Sequence, residues 1–520
     1  MKKIVSSILL IALTLTAAGQ VRPKQNISKG AKGYAQKLVK AQSSSEPLES
    51  ALFGVMAVNL KGDTLVYHNA KSKMIPASTM KTITTGLAIR TLGPDYRYQT
   101  RIGYSGEIRD SVLHGDLYIV GGGDPTIGSK DSIATSITVL FNQWTGFIRK
   151  AGINRIEGRI VGDGRYFNGE IEHGSWSYDD LGTYYGAGGN GLCFYRNIVD
   201  INVAPGLAEG DSIKMSIAYP QTPWINYIQN CRTGKKDTGD RLCLYNTDLS
   251  CDVEMRGTLA AEHYAKKLEC SNKFGALTCA YYFSKHLNER HIPNQGFCQI
   301  DGYGRTSKSY SCTDNQVLQI EEPGYRTLES DSLEILGTTF SPTLKQIAYM
   351  TNYRSDNFYA ETLMKTMGKI KKGSSDYRTC AKYYEEAFKE MGLQSSLGRD
   401  ITDGSGLSRK NYIAPEFFCR YLKSMLESED AEDFIGTLAS PGKPHYKSRL
   451  KDEPDSVRSR IFLKSGSMNG VRCFCGYIAP QSGIKEDTII FSIMTNNCTA
   501  SDWRVYPILD QIIAAIAFEN

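Results

Sequence analysis

Residues 76–93 read PASTMKTITTGLAIRTLG, a pattern that predicts a helix beginning near Ser78. Pro76 and Ser78 are typical of helix starts, the apolar residues that follow suit a buried helix face, and a glycine–proline pair ends the helix. Ser78 and Lys81 form the pattern S-x-x-K. A three-residue step places the lysine one turn above the serine on the same face of the helix.

This spacing suits nucleophilic catalysis by a serine. A serine hydroxyl is a poor nucleophile unless a neighbouring base takes its proton. Lys81 can be that base only when its amine is neutral, which requires burial or neighbouring cations. The start of the helix also offers free backbone N–H groups to an oxyanion. The pattern occurs by chance in many long chains, so an ordinary helix-start serine is the alternative.

Two later triplets strengthen the catalytic interpretation. Ser355-Asp356-Asn357 has the form S-x-N, and Lys464-Ser465-Gly466 follows the apolar strand residues 461–463. Each triplet is common by itself. The ordered set, on a helix start, a loop after a helix and a strand edge, predicts one shared cleft.

The rest of the chain indicates a split domain. Strands are predicted at 53–60 and 64–68. From about 97 to 340 the pattern indicates short strands and glycine-rich turns, with few long helical stretches. Helical patterns return near residue 341, followed by further strands and an apolar helix at the end of the chain; the predicted elements are helices 342–368, 377–391 and 414–427 and strands 459–464, 470–479 and 487–495. The two ends therefore form one α/β unit around a β-rich insertion.

Composition excludes several classes of protein. The 520 residues are 41% hydrophobic and 22% charged, as in ordinary globular proteins and unlike disordered, collagenous or polytopic membrane chains. The net charge of +6 is too small to indicate a nucleic-acid partner.

The first residues have the pattern of a secretory signal peptide. Lys2 and Lys3 precede an apolar run at 4–18 that ends in small residues, so residues 1–19 are predicted to be removed. An uncleaved N-terminal anchor is the alternative. The apolar helix at the C-terminus is expected to pack in the core, against the alternative of a membrane-surface helix. The prediction is a soluble exported protein, periplasmic or extracellular, without stable membrane insertion.

Thirteen cysteines in an exported chain favour disulfides. Most of them lie between Cys193 and Cys312, and disulfides are predicted in that segment without a defined pairing. Zinc is the alternative, but the chain has no C-x-x-C pair, and Cys473 and Cys475 alternate along a predicted strand. No metal is predicted.

Other motif matches lack the required context. The glycines at 186–191 satisfy G-x-G-x-x-G but follow no apolar strand, and residues 123–130 lack the GK-[ST] of a phosphate loop. The chain has no H-E-x-x-H and no G-x-S-x-G. No cofactor is therefore predicted.

The ordered triplets resemble those of the penicillin-recognising serine enzymes, that is, penicillin-binding proteins and serine β-lactamases. The stretches GDLYIVGGGDPTI (115–127), SWSYDDLGTYYGAG (175–188) and DGSGLSRKNYIAP (403–415) resemble the class C, low-molecular-mass D-alanyl-D-alanine carboxypeptidase/endopeptidase family. The resemblance implies a transpeptidase-type α/β (α+β) domain interrupted by two inserted domains. The implied boundaries are 20–96 with 341–520 for the catalytic domain, 97–200 with 301–340 for inserted domain II, and 201–300 for inserted domain III.

The resemblance implies catalytic roles for five residues. Ser78 is the acylated nucleophile and Lys81 its general base. Ser355 relays a proton to the leaving group, Asn357 holds the substrate amide and Lys464 adds positive charge.

It also implies residues that bind the substrate. Ser465 and Ser467 contact the terminal carboxylate beside Gly466, and the N–H groups of Ser78 and Ser467 form the oxyanion hole. The third motif reads KSG where KTG is commoner, and its serine keeps the hydroxyl. An acidic residue holds the free amine of the stem peptide, with an aromatic and a basic wall around it; the residues are Asp179, Trp176, Tyr184, Ser405, Leu407 and Arg409. Asp180 is adjacent, and a one-residue shift would exchange it with Asp179.

The implied activity is a DD-carboxypeptidase or DD-endopeptidase acting on peptidoglycan stem peptides and acylated by β-lactams. A serine β-lactamase is one alternative, although Glu385, Glu386 and Glu390 lie in no E-x-x-L-N-like element. A non-catalytic peptidoglycan-binding sensor and a Ser–Lys peptidase outside wall metabolism are the others. The sequence leaves a homodimer open.

Overall fold

The structure is a computed structural model, and it describes residues 32–313, 316–321, 324–325, 333–393, 399–443 and 449–519. The predicted signal peptide at 1–19 lies outside these residues. The helices are α1 (Tyr34–Ser43), α2 (Met80–Leu92), α3 (Ile137–Lys150), α4 (Gly275–Glu289), α5 (Leu344–Tyr353), α6 (Asn357–Lys372), α7 (Tyr377–Glu390), α8 (Pro415–Leu426), α9 (Ala431–Ile435), α10 (Asp455–Arg458) and α11 (Asp502–Phe518).

The strands fall into a few sheets. In chain order they are β1 (Leu52–Asn59), β2 (Thr64–His68), β3 (Gln99–Tyr104), β4 (Glu107–Arg109), β5 (Val112–His114), β6 (Leu117–Val120), β7 (Arg155–Ile156), β8 (Ile160–Asp163), β9 (Ile198–Ala204), β10 (Lys214–Tyr219), β11 (Asn226–Gly234), β12 (Cys243–Tyr245), β13 (Asp252–Ala260), β14 (Lys266–Ser271), β15 (Phe297–Ile300), β16 (Arg305–Thr306), β17 (Ser309–Thr313), β18 (Gln316–Glu321), β19 (Gly324–Tyr325), β20 (Glu334–Phe340), β21 (Arg399–Asp400), β22 (Tyr412–Ile413), β23 (Ile461–Met468), β24 (Val471–Ile478) and β25 (Ile489–Asn496).

Strands from both ends of the chain form one antiparallel sheet in the order β2-β1-β25-β24-β23. The two halves of the predicted α/β unit therefore meet through the pairing of β1 with β25. Helix α11 buries Val505, Leu509, Ile512 and Ile516 in the core of this unit, a spacing that forms one helix face. This packing confirms the core position predicted for the C-terminal helix.

The helical stretch predicted at 342–368 is broken into α5 and α6. Ser355, in the break, has φ of 56°, a left-handed conformation that is uncommon outside glycine. Asp356 is the N-cap of α6, and its carboxylate accepts the N–H of Tyr359 at 3.0 Å. The cap stabilises the start of a new helix at Asn357, so α5 and α6 are separate helices.

The insertion contains a nine-stranded sheet whose main path runs β18-β17-β15-β8-β6-β3-β20. Helices α3 and α4 pack on it, although the sequence indicated few long helices here. Strand β15 pairs with β8, and α4 contacts both, so residues 275–300 lie with this sheet. The prediction placed them in inserted domain III. Two three-stranded sheets, β10-β9-β14 and β11-β13-β12, are formed by the part of the chain between β8 and β15.

The disulfide prediction is wrong for six of the cysteines in the predicted segment. Cys193, Cys231, Cys243, Cys251, Cys270 and Cys279 carry free thiols. Most of them are buried at packing positions on separate elements; the thiol of Cys193 donates to the carbonyl of Asn190, and that of Cys231 to the carbonyl of Met255. Burial raises the pKa of Cys193 to about 12 and that of Cys231 to about 11. These thiols act as small apolar residues.

Within the described ranges, no helix combines the length and the apolar character that crossing a bilayer requires.

Candidate active site

The first motif forms a tight turn that leads into α2. Ser78 lies in a 3-10 turn, Ala77–Thr79, in which Ala77 has a left-handed φ of 46°. Gly466 of β23 lies directly against this turn. A Cβ atom on Gly466 would fall 2.7 Å from the carbonyl oxygen of Pro76 and 2.9 Å from the N of Ser78, closer than real Cβ contacts. Glycine therefore allows the third motif to touch the nucleophile turn.

Lys81 is fully buried and its amine faces Ser78. Its Nζ lies 3.0 Å from the Ser78 Oγ, 2.5 Å from the Asn357 Oδ1 and 2.8 Å from the carbonyl oxygen of Ser405. Burial lowers the pKa of Lys81 to about 8, against the opposing charges of nearby carboxylates. After losing one proton, the amine keeps two donors for Asn357 and Ser405, and its lone pair can face the Ser78 hydroxyl.

Lys464 connects the third motif to the second. Its Nζ donates to the Ser355 Oγ at 2.9 Å and to the carbonyl oxygen of Ser465 at 2.8 Å. Burial, together with the charge of Lys81, holds the pKa of Lys464 well below its usual value. The three motifs thus converge on one buried pair of amines and two serine hydroxyls.

Two buried carboxylates lie behind Lys81. Glu361 accepts the N–H groups of Gly404 and Ser405 at 3.1 and 2.7 Å, which fixes the carbonyl that holds Lys81. Burial raises the pKa of Glu361 to about 7. Asp403 accepts the N–H of Gly406 at 2.8 Å and the indole N–H of Trp176 at 2.9 Å. Sequence reasoning missed both supports, although Glu361 lies one helical turn after Asn357.

A cavity of about 550 Å³ opens at Ser78. The structure brings together at its walls several of the predicted residues, namely Ser78, Asp179, Tyr184, Ser355, Asn357, Leu407, Arg409 and Ser467. Asp180, the adjacent alternative to Asp179, also lines it, as do Tyr185 and Arg354, to which the sequence assigned no role. The cavity is therefore bounded by both the split catalytic unit and the insertion.

Other predicted residues lie outside the lining. Trp176 is 6% exposed, packs edge-on against Tyr377 and directs its indole N–H to Asp403. Ser405 is fully buried and contributes its carbonyl oxygen to Lys81. Four further predicted residues do not line the cavity, namely Lys81, Lys464, Ser465 and Gly466. The substrate contacts predicted for these residues stay predictions.

Asp179, Asp180 and Arg409 all line the cavity. Asp179 is exposed, whereas Asp180 is half-buried. Burial and the neighbouring charge of Asp179 raise the pKa of Asp180, while the positive charge of Arg409 acts to lower that pKa. The Arg409 Nη2 donates to the carbonyl oxygen of Asn469 at 3.3 Å, which joins the 403–415 loop to the turn after β23. The cavity wall therefore carries two carboxylates and a guanidinium.

The fold and the site define a serine peptidase of the penicillin-recognising class. The family model described as the D-Ala-D-Ala carboxypeptidase 3 (S13) family matches residues 35–301 and 326–514, and the chain belongs to this family. The match confirms the predicted mixed α/β fold with a split family domain. It also confirms the enzyme class, a serine D-Ala-D-Ala carboxypeptidase.

Curated relatives and solved structures are similar over most of the chain. The D-alanyl-D-alanine carboxypeptidase of Actinomadura sp. (strain R39) is 22% identical over 86% of this chain and 78% of its own. The penicillin-sensitive carboxypeptidase A of Dictyostelium discoideum is 24% identical over 86% and 82%. The crystal structure of penicillin binding protein 4 (dacB) from Haemophilus influenzae covers 92% of this chain and 97% of its own, at 19% identity and a TM-score of 0.72.

Proposed function

We propose that Ser78 is the acylated nucleophile of a DD-carboxypeptidase and DD-endopeptidase that acts on peptidoglycan stem peptides. The observation that carries this proposal is the 3.0 Å contact between the Ser78 Oγ and the buried Nζ of Lys81. With a pKa of about 8, Lys81 is partly neutral near neutral pH and can take the serine proton. Ser78 then attacks the penultimate carbonyl of a D-Ala-D-Ala end.

The second and third motifs serve the leaving group and the carboxylate. Ser355, held by Lys464, delivers a proton to the departing amine, and Asn357 holds the substrate amide. Ser467 borders the cavity near the terminal carboxylate, and the N–H groups of Ser78 and Ser467 bind the oxyanion. Water then hydrolyses the ester. When the leaving amine belongs to a second stem peptide, the same steps cut a cross-link.

Asp179 receives the free side-chain amine of the stem peptide. Asp179 is an exposed carboxylate on the cavity wall, and a charge-assisted hydrogen bond to an ammonium group suits it. Tyr184 and Leu407 supply apolar surface for the side-chain methylenes.

β-Lactams acylate Ser78 because they present a strained amide to the same cleft. One solved structure of the Haemophilus influenzae protein is described as complexed with a novel β-lactam, at 18% identity to this chain. The described cavity lining contains no glutamate to activate a deacylating water. Glu385 pairs with Arg399 and Glu386 with Lys372, and neither lines the cavity, which argues against a role of either in a β-lactamase reaction.

The signal-peptide pattern supports export, with the periplasm or the medium as the place of action. A peptidoglycan substrate, as proposed above, fits that location.

Incubation with purified muropeptides tests the proposal. Release of D-Ala from a pentapeptide monomer would show carboxypeptidase action, and conversion of a cross-linked dimer to monomers would show endopeptidase action. Ser78→Ala should abolish both while still binding muropeptide. Binding without cleavage by the wild type would instead support the sensor alternative.

A further inference from the structure

Two ion pairs from the insertion flank Ser355. Arg354, immediately before it, pairs with Asp131, and Asp356, immediately after it, pairs with Arg196 through an Nη2–Oδ2 distance of 2.5 Å. Asp131 and Arg196 belong to residues 97–200, the inserted part of the chain. The charged groups of Asp131 and Asp356 are almost wholly buried, and Arg196 is 12% exposed. Arg354 is 42% exposed, so its pair with Asp131 is only partly shielded, whereas the Arg196–Asp356 pair is buried on both sides. Removing one partner of a buried pair leaves the other charge without compensation.

Arg196 lies in a strained turn of the insertion. Tyr195, Arg196 and Asn197 all have left-handed φ values, 52°, 57° and 51°. Such conformations persist only where the surroundings enforce them, and they cluster at functional sites. The Asn197 side chain accepts the N–H of Phe194 and donates to the carbonyl of Gly188, which fixes the turn.

The other pair is equally constrained. The carboxylate of Asp131 accepts the Tyr359 hydroxyl at 2.6 Å as well as pairing with Arg354. Tyr359 is fully buried in α6, so Asp131 connects the insertion to the helix that carries Asn357. The segment Arg354–Asp356 is therefore held on both sides while Ser355 stays in its left-handed conformation.

We propose that Arg196 and Asp131 are positioning residues for acyl transfer: their ion pairs hold Ser355 in the conformation that directs its hydroxyl to Lys464 and the cavity. This proposal rests on the proposed function, in which Ser355 protonates the leaving amine. The inserted domain thereby fixes the loop that carries Ser355, the residue on the leaving-group side of the site. Neither residue contacts the substrate.

A pair of substrates with the same acyl part tests this role. A D-Ala-D-Ala peptide loses an amine that must be protonated, whereas a thioester analogue loses a thiolate that leaves without a proton. Arg196→Gln should lower kcat for the peptide about tenfold or more with little change in KM, and should lower kcat for the thioester less than about threefold. Arg196→Lys, which keeps the charge, should recover most of the peptide activity.

Arg165→Gln is the matched control, because it removes an ion pair with Asp163 in the same inserted part and away from the cavity lining. It should leave the ratio of the two activities unchanged. Asp131→Asn removes the ion pair with Arg354 and should shift the ratio of the two activities in the same direction as Arg196→Gln. This variant tests the proposal if Arg196→Gln does not fold.

Equal losses on both substrates, or no loss on either, would overturn the positioning role. A wild type that cleaves neither substrate would overturn the proposed function itself and this proposal with it. An active wild type with an unaltered ratio in the variants overturns this proposal alone.

Discussion

Lys464 and Ser355 stand 109 residues apart in the chain, and a hydrogen bond of 2.9 Å from Nζ to Oγ joins them. The bond connects the strand motif to the loop between α5 and α6, so the two cannot move independently. Lys464 also lies close enough to Lys81 for that charge to lower its pKa. A proton on one amine therefore disfavours a proton on the other.

Replacing Lys464 tests the consequence of this contact. Lys464→Met removes the donor to Ser355 and the positive charge near the substrate carboxylate. We expect kcat for D-Ala-D-Ala peptides to fall by about 10²-fold and KM to rise, because both leaving-group protonation and carboxylate attraction are lost. Steady-state kinetics measure both. Lys73→Met, which removes an exposed lysine paired with Asp400, is the control, and an equal effect there would contradict the account.

The acylation rate should depend on the ionisation of Lys81. Burial lowers its pKa to about 8, and only the neutral amine accepts a proton, so the rate should rise with pH and level off above about 8. Stopped-flow acylation by a β-lactam across pH 6–10 measures this. Lys81→Arg cannot deprotonate in that range, and we expect acylation to slow by about 10²–10⁴-fold. A rate that falls as the pH rises through 8 would contradict Lys81 as the base.

Mutation can distinguish the roles of the two adjacent acids at the cavity, Asp179 and Asp180. Asp179 is the more exposed carboxylate, whereas a raised pKa makes the charged form of Asp180 less favourable. We expect Asp179→Asn to lower kcat/KM for a peptide with a free side-chain amine about tenfold, the worth of one charged hydrogen bond. An N-acetylated peptide should show little change. The reverse pattern, with Asp180→Asn losing the preference, would assign the amine to Asp180.

The contact between β23 and the nucleophile turn should tolerate no side chain. Gly466→Ala places a Cβ against backbone atoms of Pro76, Ser78 and Thr79, so the strand or the turn must shift. We expect β-lactam acylation to slow by about 10²-fold or more, since displacements of this size disturb catalytic geometry. Gly146→Ala is the control, because its Cβ meets nothing within 4 Å inside α3. It should stabilise the protein by about 0.5–1 kcal/mol in thermal unfolding and leave acylation unchanged.

Part of the site follows from spacing in the sequence. Ser78 and Lys81 are one turn apart, so their contact could be predicted from helix geometry alone. The convergence of the second and third motifs could be predicted from their order and from the family resemblance. The distance between Lys464 and Ser355 could not, because it depends on how α5 ends and where β23 lies.

The rest depends on packing that the sequence does not encode locally. Ser405 was predicted as a pocket wall, but its backbone carbonyl holds Lys81, and Glu361 fixes that carbonyl from another helix. The cysteine segment suggested disulfides because composition reports the number of thiols and not their directions. Helices α3 and α4 were missed because both contain several β-branched or aromatic residues, which favour strands.

If Ser78 is the nucleophile, it becomes covalently acylated, and labelling with a fluorescent penicillin detects that adduct. Wild type and Ser78→Ala are incubated with the label, digested, and the modified peptide is identified by mass spectrometry. We predict one adduct on the peptide that contains Ser78 and none in the folded Ser78→Ala variant. An adduct on another residue, or a folded wild type that takes no label, would contradict the claim.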